Sequence, residues 1–191
     1  MKPPRNILRR RSPRPRDPER EARERDAYER TARVLGALPS QRWHVVGPLH
    51  YRSAQPAHIV VGPGGVYLVR ARKPDGSVRV KDGVPWLRRA GTQGERAGVD
   101  VNRKLVEPAE ALAREIRART GRGPAVHPVI VFWCEFPQRV AETNQLSFVH
   151  GSELAGWLRS RPAELEHPGL EEVAQVAANI AGESARHRSA A

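Results

Sequence analysis

Arg70, Arg72 and Lys73 end a run of residues, 65–73, that is otherwise apolar. Side chains alternate across a strand, so the two arginines share one face and Lys73 lies on the other. Charges at the end of an apolar strand need a partner. Paired guanidinium donors suit a phosphate group, while an ion pair inside the fold is the competing arrangement, with Glu29 as the candidate carboxylate. Guanidinium does not deprotonate in proteins, so neither arginine can serve as a general base. His58 is a metal-ligand type, but one imidazole makes no site, and a hydrogen-bonded strand histidine fits the same pattern. Glu29 equally suits a helix cap, and Asp75 lies just beyond the basic cluster. Gly62-Pro63-Gly64-Gly65 has the glycines of a phosphate-cradling loop without the Lys-Ser/Thr that completes one, so it reads as a turn.

These residues need a hairpin to position them. Two β-branched runs, 59–61 and 66–69, flank the glycine-proline turn, where Pro63 suits the first central position of a type II turn and Gly64 the second. Before it, residues 19–38 carry Tyr28, Ala32, Leu35 and Leu38 at helical spacing, with Asp26 and Glu29 in a capping-box arrangement. Residues 43–49 then read as a strand that Gly47-Pro48 demotes to an edge or bulge. A second hairpin follows, in which Val78 and Val80 alternate with polar residues, Asp82-Gly83 makes a two-residue turn and Trp86 continues on the far side. Residues 88–98 read as a glycine- and charge-rich loop. A long amphipathic helix follows through Val101, Leu105, Ala109, Leu112 and Ile116 to Gly121, with Pro108 as a kink or second start. The apolar run 126–133 reads as a central strand covered on both faces. A short strand at 146–149 comes next, then a helix capped by Ser152 and a last helix opened by Pro168.

The order of elements predicts an α/β sandwich with a mixed central sheet flanked by helices. With 191 residues, the chain fits one domain, expected over 19–182, between a disordered Arg/Pro-rich arm at 1–18 and a disordered tail at 183–191. The net charge of +12 is unevenly spread. Residues 1–16 hold Lys2 and six arginines, among them Arg9, Arg10 and Arg11, with no acid, and residues 150–183 hold six glutamates against two arginines. The middle is therefore basic without its arm. This favours a polyanionic partner, whereas the acidic C-terminal helices suit a protein partner. Only four of the 33 basic residues are lysine, so an arginine-rich coding bias is the competing source of the charge. No segment has the apolar length of a membrane span or a secretory signal, which leads to a cytoplasmic expectation. Cys134 stands alone, which excludes a disulfide framework and a cysteine zinc site.

The run from Ala57 to Val69, Ala-His-Ile-Val-Val-Gly-Pro-Gly-Gly-Val-Tyr-Leu-Val, resembles the strand and turn of the nuclease-related domain family, within the restriction-endonuclease-like PD-(D/E)xK fold. Supporting matches are Glu29, Gly76 with Val78 and Val80, and Gly151-Ser152-Glu153-Leu154 with Trp157. The resemblance implies metal-assisted phosphodiester hydrolysis. An Asp on the first hairpin strand and an acid or amide on the second would hold a divalent cation, and a Lys two residues later would position or deprotonate water. All three positions depart from that pattern, being Ala57, Arg70 and Arg72 here, and Glu29 alone matches. A unit positive charge ~4 Å from a divalent cation repels it by roughly 8 kcal/mol at an effective dielectric near 20. The expectation is a nuclease fold without a working metal site that binds nucleic acid, DNA favoured over RNA, through Arg70, Arg72, Lys73, Arg9, Arg10 and Arg11. No cofactor is expected. Magnesium or manganese enters only with residual activity, for which Glu29, His58 and Asp75 are the candidate ligands.

Overall fold

The computed structural model describes residues 17–50 and 56–189. The arm, with Arg9, Arg10 and Arg11, lies outside the described residues except for Asp17 and Pro18. Those two start α1 (Pro18–Gly36): the Asp17 side chain accepts from the Arg20 amide at 3.2 Å and Pro18 fills the first helical turn. Asp26 and Glu29 therefore sit within the helix and do not cap it.

Six strands form the main sheet. β1 (His44–Leu49) is its edge, with a register shift between Val46 and Pro48 where Gly47 bulges. β2 (Ala57–Gly62) and β3 (Gly65–Arg72) form the expected antiparallel hairpin. The positive φ falls at Gly65 (109°) and not at Gly64, which replaces the expected type II turn by one with glycine in its fourth position, the preference of type I. β7 (Val126–Phe132) pairs parallel with β3 and β9 (Ser147–His150), and β8 (Val140–Glu142) closes the far edge. β3 and β7 are thus central and almost wholly apolar, as their uninterrupted hydrophobic runs require.

Helices cover both faces. α1 and α3 (Leu154–Arg159) lie over Val60, Tyr67, Val69, Val129 and Val131, while α2 (Val99–Thr120) and α4 (Gly169–Ser189) lie over Ile59, Val61, Val66, Leu68 and Ile130. The mixed sheet flanked by helices is the layered arrangement of a restriction-endonuclease-like fold. No helix among the described residues is long and apolar enough to cross a membrane.

A second, three-stranded sheet stands beside the first: β4 (Ser77–Lys81), β5 (Val84–Arg88) and β6 (Glu95–Ala97). Asp82 (φ 50°) and Gly83 (φ 74°) make the primed turn expected of Asp-Gly. The Gln138 side chain bonds both the amide and the carbonyl of Val80, which ties this sheet to the loop after β7.

Further expectations change. The loop at 88–98 contains β6, and β8 had no sequence counterpart. Ser152 makes no cap to α3, since its hydroxyl is engaged with His150, Glu153 and Arg139. The segment from 183 is helical through Ser189, where Glu183 binds Arg119 and Ser184 donates to the His50 carbonyl.

Candidate functional site

The residues singled out for chemistry converge on the C-terminal end of β3, but not as one cluster. Ala57 and Arg70 face α2, as alternation along β2 and β3 dictates, and His58 faces α1. His58 stacks on Tyr28 with ring centroids 4.1 Å apart. Burial pulls its pKa down to about 4 against a weaker opposing bond to the Tyr28 backbone, so the ring is neutral. Its face excludes it from ligating anything at Ala57. Glu29 is solvent-exposed, about half a helical turn from the buried Ala27, Thr31 and Leu35. It meets neither arginine.

Arg70 is only 3% exposed. Its Nη1 donates to the Lys104 carbonyl in α2 at 3.1 Å. The sequence of α2 explains this contact. An α-helix bonds the amide of residue i to the carbonyl of i−4, and the residue four beyond Lys104 is Pro108, which has no amide hydrogen. Arg70 supplies the donor that Pro108 lacks. Burial, then the neighbouring Arg72 charge, pulls the Arg70 pKa down to about 10, with Glu24 opposing. Arg70 Nε and Glu24 Oε2 are both buried without a hydrogen-bond partner among the described residues.

Arg72, two residues on, reaches past the strand end to Glu24 of α1 at 3.1 Å, with both side chains largely buried. Lys73 binds Asp26, also on α1, and this contact, followed by Arg30, holds the Asp26 carboxyl below the usual range. The ion pair foreseen between Glu29 and the arginines is therefore made by Glu24, and with Arg72 alone. Helical spacing carried the signal for Glu24: positions 24, 28, 31 and 35 share the face that Thr31 and Leu35 bury.

A groove of about 560 Å³ opens beside these pairs, between the first turns of α1, the end of β3 and the second sheet. Arg20, Arg23, Arg72, Lys73 and Arg89 stand on its walls with Asp17, Glu19, Glu24 and Asp75, over an apolar floor of Val78, Leu87 and Phe132. Five cations against four acids leave it close to neutral. The donor set does not fit a divalent cation. A methyl group stands at Ala57, two guanidinium groups stand at Arg70 and Arg72, and Glu24, a largely buried carboxylate, is already bound to Arg72. Arg70 is likewise withdrawn from any phosphate, against the expectation that it grips one.

The model of the nuclease-related domain matches residues 22–133, more than half of the chain, and spans α1 through β7. No curated protein and no solved structure matches.

Proposed function

The chain belongs to the nuclease-related domain family, and from that premise we propose that it binds nucleic acid, DNA in preference to RNA, without cutting it. One observation carries the reading: Arg70, at the strand position that the resemblance assigns to a metal ligand, is a buried guanidinium bonded to the Lys104 carbonyl. A divalent cation there would face a fixed positive charge, and the nearby carboxylate, Glu24, is already bound to Arg72. Arg72, at the position of the water-activating lysine, is ion-paired to Glu24 and cannot release a proton. The net charge of +12 supports a polyanionic partner, met by exposed side chains and not by Arg70.

A nuclease with migrated ligands has less support, because Glu29 is exposed, His58 is buried against Tyr28, and Asp75 lies in the groove beside Arg72 and Lys73. A protein partner drawn by the acidic C-terminal helices is also weakened. Glu171, Glu172 and Glu183 are paired within the fold, to His167, Arg122 and Arg119.

The test is fluorescence anisotropy with labelled DNA and RNA, duplex and single-stranded, between 50 and 200 mM salt. With about four phosphates neutralised, duplex affinity falls about 100-fold over that range. Undetectable or salt-independent binding overturns the proposal.

A further inference from the structure

The groove beside Arg72 is nearly neutral, so the basic surface must be sought elsewhere. In the second sheet, Val78 and Pro85 are buried and Leu87 packs on the main core. Alternation therefore turns Arg79, Lys81, Trp86, Arg88 and Glu95 to the opposite, outer face. Strand register sets their arrangement. Arg79 is directly across from Trp86, and Ala97 flanks Trp86 on the other side with only a methyl group. Arg88 follows Trp86 by two residues on β5, and Lys81 places its ammonium 5.5 Å from the Trp86 ring centre. Arg79, Lys81 and Arg88 are exposed, and Arg79 and Arg88 make no ion pair among the described residues. Glu95 is the only acid in the three strands of this sheet. Register places Arg88 directly across from Glu95, Lys81 bonds Glu95 at 2.6 Å, and Lys81, then Arg79 and Arg88, hold its carboxyl below the usual range.

We propose that this outer face is a docking platform for single-stranded nucleic acid, with Trp86 stacking a base and Arg79, Lys81 and Arg88 contacting phosphates. The inference rests on the nucleic-acid reading above and names the surface that serves it. Every base has a face to stack, so a sheet-borne aromatic ring within a ring of cations recognises unpaired strands with little regard to sequence. A paired duplex offers no free base face to the ring. The Lys81–Glu95 pair lies beside the ring at the surface, where such pairs are weak, and Lys81 exchanges Glu95 for a phosphate when a strand binds. Charge complementarity selects the occupant: three cations stand against one acid, and that acid is already bound.

The test is anisotropy with a labelled 20-nucleotide thymidine strand, its duplex, and polyglutamate as competitor. The single strand binds more tightly than the duplex. Trp86→Ala weakens it about 5- to 150-fold, and Trp86→Phe restores most of the affinity. Arg79→Glu weakens binding and reduces the salt slope by about 0.7 for each phosphate that is no longer neutralised. Glu95→Gln tightens it, a gain that a purely structural role would not produce. Unchanged thermal midpoints establish that the variants fold. If the wild type binds but Trp86→Ala and Arg79→Glu bind equally well, this inference falls and the nucleic-acid reading stands. If polyglutamate competes as well as the strand, the occupant is an acidic polypeptide and the inference falls. If the wild type binds no nucleic acid, both fall.

Discussion

Arg70 and Pro108 are far apart in sequence, yet one hydrogen bond should couple them energetically, and a double-mutant cycle measures that coupling. Replacing Arg70 by methionine removes a charge that burial and the Arg72 charge disfavour: a pKa drawn down to about 10 corresponds to about 3 kcal/mol against the charged form. The same change deletes the bond to the Lys104 carbonyl, about 1.5–3 kcal/mol for a charged donor. These effects oppose each other, so Arg70→Met should lie within about 1.5 kcal/mol of wild type although the side chain is almost fully buried. In a Pro108→Ala background, residue 108 regains an amide hydrogen and the helix can satisfy Lys104 itself. Arg70→Met should then be more favourable by about 1–2 kcal/mol than in the wild type. Urea unfolding of the four proteins gives the coupling directly. Additivity within about 0.5 kcal/mol would refute the pairing of Arg70 with the Pro108 gap, and a destabilisation above about 3 kcal/mol for Arg70→Met alone would refute the balance of charge burial against the bond.

His58 makes stability pH-dependent. Its folded pKa of about 4 lies below the unfolded 6.5, so its contribution is intact above pH 6.5 and about 3 kcal/mol is lost as pH falls through 4. His58→Phe should flatten this slope in unfolding measured from pH 7 to 4, and an unchanged slope would assign it to other groups. Glu24→Gln leaves Arg72 without its carboxylate in a largely buried setting, and urea unfolding should register a destabilisation of about 2 kcal/mol; no change would mean that water replaces the pair. Gly76 has φ of 117°, and an added methyl would collide with the Arg88 carbonyl. Gly76→Ala should therefore destabilise by about 2–3 kcal/mol in the same assay, and a neutral result would place the second sheet differently.

The hairpins, the central strand β7 and the long helices were legible because each has a local cause: alternation, an Asp-Gly turn, an uninterrupted apolar run, apolar residues at helical spacing. β6 and β8 were not, since three-residue strands are defined by the neighbour they pair with and Glu95–Ala97 has no apolar pattern of its own. The partner of Arg72 was misassigned to Glu29 through a motif match. The helical face was the better guide, and it selects Glu24. That Arg70 and Arg72 share a strand face was legible, but their diverging ends were not, because Lys104 lies on another element and its need for a donor arises from Pro108. The charge of the chain was visible, yet which surface concentrates it depended on the register of β4 with β5 and on the acids that neutralise the groove.

The most direct measurement incubates labelled duplex and single-stranded DNA with the protein in magnesium, manganese or EDTA and reads retarded and cleaved species from the same gel. The account predicts retarded, uncut DNA under all three conditions at low salt, with cutting restored in the Ala57→Asp, Arg70→Glu, Arg72→Lys variant. Metal-dependent cleavage by the wild type that EDTA abolishes would contradict it.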